Sequence, residues 1–171
     1  EVCPDKIIHF TNELHTTVDE REKLIITKEI KSIKPEATSE KIRKYFGKSL
    51  KLRQISAGGC NGCELELNAL SNVNFDMGRY GIEFVASPRH ADGIVITGPL
   101  TENMTMAIDI CNEAVPNPKI IILFGACAIS GGIFKDSDSL QRKFLEENKI
   151  DLFIPGCPPH PLTFINGLLD W

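Results

Sequence analysis

The chain has 171 residues, of which 42% are hydrophobic and 25% charged, and its formal net charge is −4. That length and apolar content suit one globular domain with an appended piece and exclude wholesale disorder. The acidic balance excludes the clustered basic footprint of nucleic-acid binding, and no stretch reaches the ~18 uninterrupted apolar residues of a membrane helix. The opening "EVCPDKIIHF" lacks the basic start and apolar run of a secretion signal. Any membrane association is therefore expected to come through partners.

Residues 1–50 carry ten Lys/Arg against nine Asp/Glu, and the remaining residues nine against fourteen. Within this first part, "TTVDEREKLIITKEIKSIK" mixes a short helix with charges. "KPEATSEKIRKYFGKS" predicts a capped amphipathic helix ending at Gly47. From residue 50 the texture changes. Strand-like runs follow at 50–55 ("LKLRQI"), 82–86 ("IEFVA"), 93–97 ("GIVIT"), 119–124 ("KIIILF") and 151–154 ("DLFI"). Between them, "CELELNALSNV", "TENMTMAIDICNEAV" and "SLQRKFLEEN" have helical spacing, and a last helix is expected from Pro161 through "LTFINGLLDW". Strands alternating with helices predict an α/β fold with a parallel sheet covered on both faces. "IIILF", apolar throughout, reads as a central strand.

Six cysteines stand at positions 3, 60, 63, 111, 127 and 157. A chain with a sizeable core and no secretion signal has little need of disulfides, so metal or redox chemistry is expected. Three of the strands run into glycine and cysteine: "LRQISAGGCNGC", "IIILFGACAISGG" and "DLFIPGCPPHP". Sites in open α/β sheets form beyond the carboxyl ends of the strands. Cys60, Cys63, Cys127 and Cys157 are thus expected to gather at one edge. All-sulfur tetrahedral ligation means zinc or iron–sulfur. Structural zinc tends to use two tight pairs, whereas here one pair is followed by gaps of 64 and 30 residues. A thioredoxin-like dithiol at Cys60 and Cys63 would leave Cys127 and Cys157 idle. Glycines at 58, 59, 62, 125, 131, 132 and 156 let the backbone approach sulfur closely. Cys111, within an amphipathic helical stretch, reads as a small core residue.

"GGCNGCELEL", "ASPRHADGIVITGPLTENM", "GACAISGGIF" and "PGCPPHP" together resemble the small subunit of [NiFe] hydrogenases, in particular the membrane-bound, energy-converting type. That type includes formate hydrogenlyase and carbon-monoxide-linked enzymes, and the same family holds the complex I subunit carrying the cluster nearest the quinone. The match runs from about Leu50 to Trp171. It implies a flavodoxin-like domain holding one proximal [4Fe–4S] cluster on Cys60, Cys63, Cys127 and Cys157, facing a catalytic large subunit. In the complex I subunit the first two cysteines are adjacent. Here they are separated as Cys60-Asn-Gly-Cys63, the hydrogenase form. The family's nickel–iron centre needs two Cys-x-x-Cys pairs on the large subunit, and this chain has a single pair, so the resemblance implies an electron relay. It also implies integral membrane subunits in the same complex and a cytoplasmic, peripheral position on the inner face of the membrane. Glu64 becomes a candidate for proton transfer. Arg89 and His90 are expected to tune the cluster from nearby, and His160 lies beside a proposed ligand.

"EVCPDKII" looks like the end of a bacterial ferredoxin motif, which closes in Cys-Pro. The following "TVDEREKLIITKEI" resembles the segment after the clusters in the two-cluster ferredoxin-like subunit of the same complexes. Residues 1–33 are therefore expected to be the tail of a ferredoxin-like segment, residues 34–49 a linker with its surface helix, and residues 50–171 the flavodoxin-like domain. Cys3 would then ligate a second [4Fe–4S] cluster whose other ligands lie upstream. A ferredoxin or ferredoxin-like subunit would be the electron partner.

Overall fold

Along β3 (Gly93–Thr97) and β4 (Ile120–Phe124) every residue is buried, because both faces of the sheet are covered. Alternation then sorts the side chains between two cores. Ile94, Ile96, Ile121 and Leu123 enter one. Val95, Ile120, Ile122 and Phe124 enter the other. The structure, a computed structural model, describes Pro4, residues 15–27, Gly47 and residues 49–171. Cys3 and most of the helix expected over 34–49 lie outside the described residues.

Three further strands complete the sheet: β1 (Leu50–Ser56), β2 (Ile82–Phe84) and β5 (Leu152–Ile154). Their order is β2-β1-β3-β4-β5 and every neighbouring pair is parallel. This is the flavodoxin-like winding order, as the sequence led us to expect. The helices are α1 (Gly62–Ala69), α2 (Thr105–Ala114), α3 (Ala126–Ser130), α4 (Lys143–Glu147) and α5 (Pro161–Asp170). Ile108 of α2, Ile129 of α3 and Phe144 of α4 fill the first core. Leu67 of α1 with Phe164 and Ile165 of α5 fill the second.

Two elements depart from expectation. The helical run over 139–148 shrinks to α4, because its first residues are claimed by main-chain bonds elsewhere. Leu140 bridges Thr101, and the Gln141 amide donates to the Leu100 carbonyl. The second departure is α3, five residues long and hidden in the sequence between Gly125 and Gly131.

The described part of the N-terminal segment packs on the α/β domain. Val18 forms an antiparallel bridge to Phe153, with N–H···O distances of 3.1 and 2.8 Å, and is fully buried in the first core. The Thr17 hydroxyl donates to the Thr163 carbonyl, and His15 Nδ1 pairs with the Asp170 carboxylate at 2.6 Å. This strap covers the free edge of β5, a place where an unpaired strand invites aggregation. Val18→Ala should destabilise the protein by about 2 kcal/mol, from lost apolar burial and the cavity left behind. Ile25→Ala, at a side chain 66% exposed, should stay within about 0.5 kcal/mol. Urea unfolding of both variants checks the contrast.

Candidate metal centre

Because all five strands run in one direction, their carboxyl ends share one edge, and three of the loops there carry the predicted cysteines. Cys60 and Cys63 follow β1, Cys127 follows β4 in the first turn of α3, and Cys157 follows β5. Together with Gly59, Gly98, Gly156 and Pro158 they line one cavity of about 110 Å³. Cys60 and Cys157 are exposed, and Cys63 and Cys127 half-buried. A single water needs roughly 10–15 Å³ of such space, so the cavity admits a group of several atoms. Among the described residues, no three His, Cys, Asp or Glu side chains converge tightly enough to hold one metal ion. The four cysteines do line this one cavity together, and an all-sulfur donor set is that of zinc or of an iron–sulfur cluster.

The backbone is shaped to leave that space open. Gly125 has φ +98, and a Cβ there would lie 2.6 Å from Cys63 Sγ. At Gly132, φ +56, a Cβ would come within 2.9 Å of Cys127 Sγ. Any side chain at either position would be strained and would press on a sulfur. Asn61, between the paired cysteines, takes the left-handed conformation (φ 70), which asparagine tolerates better than most residues. The loops are also tied to one another: the Ala126 amide donates to the Gly156 carbonyl at 2.8 Å.

Burial pushes the Cys63 thiol up to about 12, and Glu64 and the other three cysteines add to the shift. Burial likewise raises Cys127, with Cys157 and Cys60 contributing and Arg142 opposing. Crowded thiols hold their protons, so cationic metal must displace them on binding. Glu64 behaves differently. Burial alone would push its carboxyl up, but hydrogen bonds from the Ser56 and Thr97 hydroxyls, both 2.6 Å to Oε1, and from its own amide bring it below the usual range. At 7% exposure it is a buried, ionised carboxylate directly after Cys63.

Arg89 and His90 require a correction. They lie in a short 3-10 turn, Pro88–His90, just before β3, and both are exposed. In a parallel sheet that is the amino end of β3, away from the cysteine loops, so these two side chains do not join the site. His160 plays a structural part, since its Nδ1 accepts the Leu162 amide at the start of α5 and its ring meets the edge of Phe75. Cys111 packs half-buried against the first core, away from the four sulfurs. Sequence reasoning missed Ser56, Thr97 and Arg142. The Arg142 guanidinium donates to four main-chain carbonyls, including that of Cys127. No local motif announces such a bond, since its partners come from other loops.

The chain matches the model of the family described as NADH ubiquinone oxidoreductase, 20 Kd subunit, over residues 60–171. It is 36% identical over 126 residues to the probable membrane-bound hydrogenase subunit mbhJ of Pyrococcus furiosus, covering 74% of this chain and 75% of that protein. It is 40% identical over 124 residues to formate hydrogenlyase subunit 7 of Escherichia coli, covering 72% of this chain but 49% of that protein. Among solved structures, a chain of the membrane-bound sulfane sulfur reductase, an archaeal respiratory membrane complex, aligns with a TM-score of 0.64 and 30% identity. That alignment covers 77% of this chain and 73% of the other.

The crowding of thiols has a measurable consequence. A thiol that ionises only near pH 12 in the folded state, against an ordinary value of 9.0, stabilises the fold below pH 9 and loses that contribution as the pH rises toward 12. The reduced, metal-free protein should therefore lose stability across that window. Cys63→Ala should remove much of the loss, as read by urea unfolding at stepped pH under reducing conditions.

Proposed function

The chain belongs to the NADH ubiquinone oxidoreductase 20 Kd subunit family, and from that premise we propose that it is the electron-transfer subunit of an energy-converting [NiFe] hydrogenase complex. It is a subunit of an oxidoreductase complex, like its relatives. One observation carries the finer reading: four cysteines from three loops ring a single cavity that has room for more than an ion. Cys60, Cys63, Cys127 and Cys157 would hold a [4Fe–4S] cluster there. Bound in that place, the cluster supplies one-electron transfer at a potential set by its surroundings.

The chain's own residues prepare the site. Gly125 and Gly132 keep side chains off two sulfurs. The Glu64 carboxylate, gripped by Ser56 and Thr97, rests ionised beside Cys63 and is the group we propose to take up and release a proton at the subunit interface. The same sheet edge exposes large apolar side chains: Ile133 at 89%, with Leu65, Phe134 and Leu162. Such a surface around an electron carrier calls for a covering partner, and a catalytic large subunit fits it. Integral membrane subunits and a ferredoxin-like iron–sulfur partner complete the proposed assembly. No helix among the described residues is long and apolar enough to cross a membrane, so a peripheral place on the inner membrane face would come through those partners.

Quinone reduction, the reaction of the complex I branch, is the rival reading. The separated pair Cys60-Asn-Gly-Cys63 favours the hydrogenase branch, which that pair resembles.

Anaerobically purified protein should contain about four iron and four sulfide per chain and give a reduced-cluster EPR signal after dithionite. Cys127→Ser and Cys157→Ser should each lose that iron and destabilise the domain, since ligation and folding are coupled. Cys111→Ser should keep the iron. Full iron retention in both ligand variants, or zinc without sulfide in the parent, would overturn the assignment.

A further inference from the structure

Helix α3 carries Cys127 but is only five residues long, so most of its carbonyls have no partner within the helix. One side chain from a distant turn takes them. Arg142 Nη1 donates to the carbonyls of Pro99 (3.1 Å) and Cys127 (3.2 Å). Nη2 donates to Ala128 (2.8 Å) and Ile129 (2.9 Å). The guanidinium therefore closes the carboxyl end of α3, where a cation also complements the helix dipole.

The Pro99 bond reaches further. Pro99 belongs to the loop after β3, where fully buried Leu100 takes the left-handed φ of 63. Such a conformation persists only where its surroundings over-determine it. In the same loop the Leu100 carbonyl accepts the Gln141 amide. Residues 141 and 142 thus bolt the loop after β3 to the helix that carries one of the four cysteines. A planar fork with donors on two nitrogens suits this arrangement, and a lysine ammonium could not reproduce it.

We propose that Arg142 is a positioning residue for the cysteine site: it fixes the Cys127 turn, and its charge favours the more reduced, more negative state of the group bound there. This rests on the [4Fe–4S] reading above. The positive charge is half-buried and acts directly on Cys127. Charge and geometry are separable, because lysine keeps the first and not the second, and methionine keeps neither.

The test uses the full chain, purified anaerobically, with Arg142→Met and Arg142→Lys beside the parent. Arg142→Met should release iron to a chelator about tenfold faster. Its cluster should also shift about tenfold toward the oxidised form at a fixed potential, which is about 59 mV for a one-electron couple. Arg142→Lys should release iron as fast as Arg142→Met yet keep the parent midpoint. Parent-like iron release and midpoint in Arg142→Met would overturn the proposal while leaving the electron-transfer reading intact. A parent without iron and sulfide would sink that reading instead. Amide hydrogen exchange of the metal-free chain then decides the positioning role. Lost protection at the Gly131 amide, which bonds the Cys127 carbonyl, upholds it, and unchanged protection in Arg142→Met overturns it.

Discussion

Holding four cysteine sulfurs around one small space is the constraint on which the rest of this structure depends. Burial and mutual repulsion disfavour the ionised sulfurs, as the elevated Cys63 and Cys127 thiols record. The parallel sheet meets the geometric half of the problem. One strand direction delivers three loops to a single edge, and two cores, one on each face, keep those strands from shifting. Glycines meet the steric half by letting main chain stand where any side chain would crowd a sulfur. What remains is the electrostatic cost of ionising these sulfurs, which their protons avoid and which a cationic centre would offset.

The charges fixed around the sulfurs are unequal. Glu64 follows Cys63 and is held ionised by two hydroxyls, one from β1 and one from β3. Arg142 sits on the Cys127 carbonyl and opposes the rise of that thiol. Cys63 thus has a carboxylate as its charged neighbour and Cys127 a guanidinium. A cluster held between them would be polarised by the protein from the outset, with hydrogen bonds and burial as further levers on its potential.

Much of this was legible in the residues. Unbroken apolar runs at β3 and β4, with helical spacing between strands, were enough to predict the parallel sheet. Strands ending in glycine and cysteine pointed the four thiols to its carboxyl edge. Failures came where local pattern gives no spatial information. Arg89 and His90 stand in a family-like motif, but that motif precedes β3, and strand direction carries it away from the cysteines. Val18 lies in a charged, irregular stretch and shows its role only through Phe153, a residue of the last strand. The four carbonyl partners of Arg142 belong to the loop after β3 and to α3, so no short window of sequence contains the whole interaction. The start of the helix predicted from residue 139 gave way to main-chain bonds of Leu140 and Gln141 to the loop after β3.

The pairing of Val18 with Phe153 bears on how the protein is made. A chain leaving the ribosome presents Val18 before any strand of the sheet, but its partner lies in β5, the last of the five, and Cys157 follows a few residues later. Contacts so far apart in sequence close slowly. Until they close, the first core stays open and the ring of sulfurs is one member short. Loading of the proposed cluster would thereby wait for chains whose synthesis has passed β5, and a product cut short before it could neither seal its sheet edge nor bring Cys157 to the other three cysteines. The fold would thus act as its own quality control: the four cysteines come together only once the whole sheet has been made.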